Sequence, residues 1–520
     1  MPLLDAAALG RLQIEFRQSM RTLLTDLCLD LESQYANIAE RLDLPVAYFR
    51  FLSQAFDRAS YSNWKVVGWI EALNDLVYFL DLLQQVRKER DQRAFAEQLF
   101  AECEQKFFEN SYLDDLFPRG RAQAKGIATR LQWLCMRLAR EVTQEAIFFD
   151  ARWAMQWKRR QGLGRWEASG SLEQHFERAE RAFTLPVGTA GDELVAPPSV
   201  IKAVGQQTAR VVFEVARHDI ALKQGRRIII CTWEGTNVQW HWPRRAAVEA
   251  AATPVGPLTV GPTLHYGKDR QPKSVAATNP QQVVRIARAW NTIQRAWPAG
   301  YGVLELLTSR IIPLKAAGVV SFSYRHRPGL SFINCFDRNN LDLIDDLIHE
   351  NSHHHLNLLL RKHVMYHGDH NQQIFYSPWR RSLRPIRGIL HATFTFTMGA
   401  LLFERLSSWA ETKKGAKKWR EAGLTQGDLL RARFRCLEEI ESVRYSIQDL
   451  EYAGRHLKWL TGSGARLVRH LEESIAKAEE KMACHRKAVL ASTFGPALRK
   501  HRNTLQQARQ TYGPVHLGST

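Results

Sequence analysis

The segment His349-Glu350-Asn351-Ser352-His353 combines residue types and a spacing that suit a metal ion. On a helix, residues four apart lie on one face one turn apart, so two imidazoles can converge on one cation while Glu350 lies beside them. A chain of 520 residues buries a sizeable core without a metal, so stability does not explain such a site. We therefore predict one divalent ion bound by His349 and His353 and used in enzymatic chemistry, with Glu350 as the catalytic carboxylate.

A third metal ligand is expected further along the chain. His391 follows a break marked by Pro385 and Gly388 and opens an apolar helix, where an inward-facing polar side chain needs a partner. Glu404, on the same predicted helix, is the alternative carboxylate ligand. We predict His391 as the third ligand and keep Glu404 open.

A zinc peptidase would use Glu350 as a general base toward a metal-bound water. The metzincin pattern requires a glycine and a histidine where this chain has Leu356 and Leu359. The thermolysin-like pattern requires a ligand glutamate roughly twenty to thirty residues downstream, but no glutamate occurs from His363 to Leu390. A zinc peptidase stays an alternative, as does a peptide-binding protein without turnover.

Four arginines lie within eight residues between the two predicted helices, namely Arg380, Arg381, Arg384 and Arg387. Guanidinium groups bind carboxylates through paired hydrogen bonds, so this segment is suited to holding a dicarboxylate. Arg384 is the first candidate, Arg380 the second, and Tyr376 a hydroxyl donor. The alternative interpretation is a basic surface loop whose arginines pair with surface carboxylates.

The metal motif should lie on a helix that begins at Asn339, because N-cap residues and then acids precede it. Apolar residues recur at helical spacing from about Leu12 to Phe183 and again from Ile386 onward. Between them, β-type runs cover 210–215, 227–233 and 238–242, and a hairpin is predicted from 318–324 and 330–334. The predicted fold class is α+β, predominantly helical.

Four regions follow from this pattern. They are a helical N-terminal region at 1–185, a linker rich in proline and glycine at 186–200, an α+β metal-binding catalytic region at 201–410, and a helical C-terminal region at 411–520.

The composition of the chain limits which partners it can bind and in which cellular compartment we expect it. The net charge of +19 permits a polyanion, but the basic residues alternate with acids, as from Glu438 to Arg444, which is typical of solvated helix surface. Nucleic-acid binding therefore ranks well behind catalysis, with an acidic peptide as a milder use of the charge. The seven scattered cysteines indicate reduced thiols, and the start of the chain lacks a signal-peptide pattern, so we expect a cytoplasmic protein. The apolar stretch 388–403 is too short to span a bilayer, and no transmembrane helix is expected.

Residues from about 310 to 405 resemble the H-E-x-x-H family of 2-oxoglutarate-dependent peptide β-hydroxylases, associated with maturation of ribosomally made peptides. Besides the metal motif and its continuation to 359, the matching segments are Ser321-Phe322, Tyr376-Ser377-Pro378-Trp379-Arg380, Arg384-Pro385 and Gly388-Ile389-Leu390-His391. The chain departs from the family at Ser382-Leu383, where Asp-Pro is usual, and at Ala392, where Gly is usual.

The resemblance implies Fe(II) and 2-oxoglutarate as cofactors, with zinc as the alternative metal. It implies hydroxylation of an unactivated carbon in a peptide side chain, the substrate being a peptide such as a ribosomally made precursor. Arg384 or Arg380 would then bind the distal carboxylate of 2-oxoglutarate.

Overall fold

The computed structural model describes residues 4–148 and 253–513, apart from gaps at 90, 108–111, 121–124, 262, 267–271, 277 and 368–371. Between 149 and 252 it describes only the backbone of separate strands. The predicted linker at 186–200 therefore lies largely outside the described residues. The elements form an α+β, predominantly helical fold, as predicted.

Helices make up the N-terminal part of the chain. They are α1 (Ala6–Glu32), α2 (Ala36–Arg41), α3 (Val46–Ala55), α4 (Trp64–Lys88), α5 (Gln92–Lys106), α6 (Tyr112–Leu116) and α7 (Ile127–Phe148), with a 3-10 turn at Ser60–Ser62. The central helix is α4, which buries Trp64 and Trp69. The helical prediction is confirmed as far as residue 148.

The prediction of helix up to Phe183 is wrong at the strand β1 (Arg165–Ser169). This strand pairs antiparallel with β4 (Arg210–Val215) at the edge of a sheet. Hydrogen bonds to a strand some 45 positions away decide its conformation, and residue spacing within five positions does not reveal them.

Two larger sheets and two small hairpins contain the strands. The first has the order β1-β4-β5-β6-β7 with antiparallel neighbours. Its other members are β5 (Asp219–Gln224), β6 (Arg227–Glu234) and β7 (Asn237–His241), so the three predicted β-type runs are confirmed. The small pairs are β2 (Gly188–Thr189) with β3 (Glu193–Leu194), and β15 (Phe375–Ser377) with β16 (Ser382–Arg384).

The second sheet lies under the metal motif. Its order is β11-β10-β12-β14-β13, with β9 beside β12 and β8 beside β9. The strands are β8 (Thr253–Val255), β9 (Leu258–Val260), β10 (Thr263–Tyr266), β11 (Pro272–Ala276), β12 (Arg310–Lys315), β13 (Phe322–Ser323) and β14 (Leu330–Asn334). The antiparallel pair of β13 and β14 confirms the predicted hairpin, although β13 is shorter than predicted.

The remaining helices are α8 (Pro280–Ala296), α9 (Pro298–Leu307), α10 (Asn340–Lys362), α11 (Ile386–Glu411), α12 (Lys413–Glu421), α13 (Gln426–Arg455), α14 (Gly462–Ala491) and α15 (Gly495–Tyr512). The metal motif lies on α10, as predicted. A capping box closes the start of α10: the Asn339 side chain accepts from the Asp342 amide, and the Asp342 side chain accepts from the Asn339 amide. Leu343, Leu347 and Leu356 are buried and fix which face of α10 meets the core.

Helix α11 packs between α10 and the C-terminal helices α13 and α14. Among the described helices it alone is long and apolar enough, by length and composition, to cross a membrane. The helix has 26 residues and is therefore longer than the apolar stretch 388–403 on which the sequence prediction was based. Of its most apolar 18-residue segment, 72% is buried inside the protein. This burial accounts for its apolar composition.

The cysteines whose side chains the structure describes are free thiols. Five of them are buried, and Cys484 is exposed. Burial raises the pKa of Cys335 to about 12, and nearby Asp346 opposes the thiolate further. Buried thiols of this kind are unreactive, in agreement with the prediction of reduced cysteines.

Candidate metal centre

The histidine pair of α10 forms a compact group of donor atoms with the adjacent glutamate. The ligand atoms of His349, Glu350 and His353 all lie within 4.8 Å of one another. The two imidazole rings have their centroids 5.0 Å apart. Both histidines are partly exposed, whereas Glu350 is buried. The predicted convergence of two imidazoles on one face of a helix is therefore present.

The surroundings keep both imidazoles neutral. Burial first, and then the positive charges of Arg435 and Arg380, lower the pKa of His349 to about 4. Burial and the neighbouring histidines His349, His391 and His354 lower the pKa of His353 well below its usual value. A neutral imidazole has a free lone pair, which is the form that binds a metal.

The edge strand β13 holds Glu350 from the sheet side. The hydroxyl of Ser323 donates to Glu350 Oε2 at 2.7 Å, and the hydroxyl of Ser321 donates to Asp346 Oδ2 at 2.6 Å. Ser321, just before β13, and Ser323 are two positions apart in extended chain, and Asp346 and Glu350 are four positions apart on α10. Each pair therefore shares a face, and β13 and α10 make two equivalent serine–carboxylate hydrogen bonds where they pack. Burial raises the pKa of Glu350 to about 8, although the bond from Ser323 favours the charged form.

His391 comes close to the pair from helix α11. Its ring centroid lies 6.1 Å from that of His353, with the two rings nearly parallel. Because Pro385 is the N-cap residue of α11, His391 lies in the second turn of that helix. His391 thus flanks the pair, while Glu350 is the third member of the closest group of donors.

Glu404 does not approach the histidines. It lies thirteen positions beyond His391 on α11, which corresponds to about 20 Å along a helix axis. Its carboxylate is buried and contacts Lys481 at 3.5 Å, Arg405 at 3.3 Å and the hydroxyl of Ser408 at 3.1 Å. The structure therefore leaves His391, and not Glu404, as the downstream candidate for a third ligand.

The arginine segment faces the histidines in part. Arg380 is exposed, and its positive charge contributes to lowering the pKa of His349. Arg384 lies over the first turn of α11, where a Cβ on Gly388 would be 3.0 Å from its Nε, so glycine allows this close approach. Burial, and then the charges of Arg380 and Arg387, lower the pKa of Arg384. Three guanidinium groups near one another favour a bound anion.

Tyr376 points away from the histidines. On the β15–β16 hairpin it pairs with Leu383, so its side chain lies on the opposite face from that of Arg384. Its ring stacks on Tyr512 at 5.3 Å and contacts Tyr445 at 5.8 Å. The structure does not bring this predicted hydroxyl donor to the metal motif, because the pleat of the hairpin directs it toward α15.

Residues of α13 complete the site, and the sequence analysis missed them. Arg435 contacts Glu439 at 2.8 Å and Asp345 at 3.7 Å, and the indole of Trp379 donates to Glu439 at 2.7 Å. The Trp379 ring stacks on Phe396 at 4.3 Å. Glu439 is 2% exposed, so the interpretation of Glu438 to Arg444 as solvated surface is wrong at this position.

In comparisons with known proteins, no family model and no curated protein matches the chain. The function therefore has to be argued from the geometry of the site. The donors present fit a divalent transition metal, because neutral imidazoles and a carboxylate are its common ligands. His349 and His353 would hold the ion, with His391 and Glu350 beside them.

Removing the Ser323 hydroxyl should weaken metal binding while leaving the fold intact. Ser323 orients the carboxylate of Glu350, and the loss of such an orienting partner lowers metal affinity by about 10- to 100-fold. Competition titration of Ser323→Ala against a chelating dye would measure the change. Ser474→Ala, whose hydroxyl bonds within α14, is the matched control and should bind like the wild type. Equal affinities for all three proteins would contradict this prediction.

Buried neutral histidines should make the metal-free protein sensitive to acid. Burial lowers the pKa of His355 to about 3. Below about pH 6.5 the unfolded chain binds a proton that the folded state excludes, so the free energy of unfolding falls by up to about 1.4 kcal/mol per pH unit. The change should continue as the pH falls toward the folded pKa.

Burial raises the pKa of Glu350, whereas it lowers that of His355, so the pH dependence of the wild type alone combines both groups. The test therefore compares the wild type with variants that lack one histidine. Urea unfolding of wild type and His355→Leu at about pH 7 and pH 5.5 should show a weaker loss in the variant, by about 1 kcal/mol. His363→Leu, near the end of the same helix, should keep the wild-type loss. A His355→Leu protein with the full wild-type loss would show that His355 does not contribute.

Proposed function

We propose that this protein is an Fe(II)- and 2-oxoglutarate-dependent oxygenase that hydroxylates a side chain of a peptide. The observation that carries the proposal is the group of Arg380, Arg384 and Arg387, of which Arg380 lies close enough to the neutral imidazole of His349 for its charge to lower the pKa of that ring. Burial and the charges of Arg380 and Arg387 lower the pKa of Arg384, so an anion that binds among them relieves the repulsion. A dicarboxylate suits this position because a guanidinium group binds a carboxylate through paired hydrogen bonds.

When bound, Fe(II) and 2-oxoglutarate would activate O2, the oxidant, with one oxygen atom going to succinate as 2-oxoglutarate loses CO2 and the other going to the hydroxylated carbon. The residues of the chain would position these groups. His349 and His353 offer neutral nitrogen donors, and Glu350 is held in orientation by Ser323. The Phe396 ring contacts the His349 ring at 5.0 Å, and Trp379 stacks on Phe396, so an apolar ring lies against this imidazole.

A zinc metallopeptidase is the second candidate, and one observation favours it. Glu350 belongs to the closest group of donors with His349 and His353, which suits a general base next to a metal-bound water. Burial raises the pKa of Glu350 to about 8, so this carboxyl group can carry a proton near neutral pH. The peptidase has no need for the arginine group.

The substrate in this proposal is a peptide, such as a ribosomally made precursor. The net charge of +19 favours acidic peptides over basic ones. We also propose a cytoplasmic location, which the free thiols of the described residues support. Nucleic acid is not part of the proposal, and a filter-binding assay with a salt titration would test that point.

The deciding experiment measures succinate. Purified protein is incubated anaerobically with Fe(II), 2-oxoglutarate and a library of acidic peptides, and oxygen is then admitted. The oxygenase predicts succinate and a peptide heavier by one oxygen atom, both absent without Fe(II). The peptidase predicts cleaved peptides without 2-oxoglutarate or oxygen, abolished by a chelator and restored by zinc. Cleavage without succinate would overturn the oxygenase in favour of the peptidase.

A further inference from the structure

A cavity lies away from the histidine pair. It has a volume of about 480 Å³ and is bounded by α1, α9, the turn between β13 and β14, and the C-terminal half of α10. From α10 it is lined by His354, Leu358 and Arg361, which share one helix face that differs from the face of His349 and His353. A cavity of this size is typical of sites for small organic ligands.

Among the charged residues of the wall, cations predominate, beside neutral polar residues such as Gln13, Ser309 and Asn357. Arg17, Arg325 and Arg361 line the cavity, with Glu305 as the acidic lining residue. Arg361 is paired with Glu71 at 2.5 Å, outside the cavity lining. Arg17 instead bonds to neutral partners, since its Nε donates to the Ser62 hydroxyl at 3.0 Å and its Nη2 to the Gln13 carbonyl oxygen at 3.2 Å.

Arg325 adds a positive charge to the wall, and its side chain is exposed. Its backbone carbonyl accepts from Arg361 at 3.0 Å, which fixes the turn against α10. Glu305 accepts from the hydroxyl of Tyr301 at 3.0 Å. Three arginines thus line the cavity together with one acid, Glu305, so the carboxylate of the wall does not neutralise all of the arginine charge.

The rest of the wall is apolar. Phe16, Leu306, Leu307 and Leu358 form it, and the guanidinium of Arg361 lies over the Phe16 ring at 4.7 Å. His354 contacts the Ser331 hydroxyl at 3.1 Å. A wall that combines apolar residues with arginines suits a molecule with an apolar body and an anionic end.

We propose that the cavity between α1 and α10 binds a small organic anion with an apolar body, at a site separate from the metal centre. Arg325 and Arg17 would contact the anionic group, and Phe16, Leu306 and Leu358 would contact the apolar body. This inference does not depend on the proposed function, because it uses neither the metal nor the arginine group near His349.

The probe is anilinonaphthalene sulfonate, an amphipathic anion whose fluorescence rises in apolar surroundings. Titration of the full chain is expected to show one saturable site. Gly302→Leu should weaken binding at least tenfold by filling the cavity. Residue 302 lines the cavity, and within 4 Å a Cβ there meets only the Cβ of Ala6, at 3.8 Å, so a side chain can begin at this position without displacing its neighbours.

Gly10→Leu is the matched control, since it replaces a glycine of α1 that does not line the cavity and has no atom within 4 Å of a Cβ. It should bind the probe like the wild type. Arg325→Glu should weaken the sulfonate at least tenfold but leave phenylnaphthylamine, the same molecule without sulfonate, unchanged. Arg380→Gln, near the metal centre, should have no effect on either probe.

Three results would overturn the inference. The first is full binding in both Gly302→Leu and Arg325→Glu. The second is equal loss in Gly10→Leu, which indicates a general change in the fold, monitored in parallel by the melting temperature of each variant. The third is equal affinity for the charged and the uncharged probe, which removes the anionic class.

Discussion

Replacing His353 with alanine is expected to reduce metal affinity by at least about 100-fold and to remove activity. His353 is the central member of the site, because its ring lies 5.0 Å from that of His349 and 6.1 Å from that of His391. Its loss leaves His349 without a second histidine four positions away on the same face of α10. Metal analysis after anaerobic loading with Fe(II) or zinc, followed by gel filtration, measures the stoichiometry.

His363→Ala is the control, since it removes a histidine just after the end of α10. It should retain the full stoichiometry and activity. The melting temperature of metal-free His353→Ala should stay close to that of the metal-free wild type, because His353 is partly exposed and its removal leaves no large buried cavity. Unchanged metal content in His353→Ala would refute the metal centre and the oxygenase proposal together.

Arg380→Ala and Arg384→Ala should each raise the concentration of 2-oxoglutarate required for half-maximal turnover by about tenfold or more, or about 1.4 kcal/mol of binding free energy per decade. Each removes one guanidinium group from the cluster beside α10 and α11. Arg380 is the more informative of the two, because its charge reaches His349. Metal stoichiometry should be unchanged, so the two proteins separate cosubstrate binding from metal binding.

Arg381→Ala is the matched control, since Arg381 is exposed on the same turn and its charge acts on Tyr376, on the other face of the hairpin. It should keep the wild-type requirement for 2-oxoglutarate. Loss of an arginine that only pairs with a surface carboxylate costs about 1 kcal/mol or less of stability and leaves turnover alone. Wild-type kinetics in both Arg380→Ala and Arg384→Ala would exclude these arginines as cosubstrate ligands.

The sequence determined those parts of the site that depend on neighbours along the chain. Four-residue spacing on a helix brings His349 and His353 to one face wherever that helix lies. The capping residues Asn339 and Asp342 fix where the helix begins, and the structure has the helix start there. The fold class followed in the same way from local periodicity, because helix and strand repeats are properties of short segments.

The tertiary structure decided which distant residues meet this pair. Residue spacing could not show that Ser323 holds Glu350, that the charge of Arg435 acts on His349, or that Glu439 is buried against Trp379, since α13 lies some 80 positions downstream. The family resemblance includes Ser321-Phe322, but it does not indicate which residues this segment contacts. Such contacts arise from the packing of α10 against β13 and of α11 against α13, which is set by burial summed over the whole core.

The same reason explains why two candidates from the sequence analysis lie away from the histidine pair. Tyr376 is close in sequence to Arg380, but the pleat of its hairpin turns it toward Tyr512. Glu404 shares a helix with His391, but the length of α11 carries it to Lys481. Nearness along the chain determines position on one element, whereas the direction of a side chain relative to other elements depends on how those elements pack.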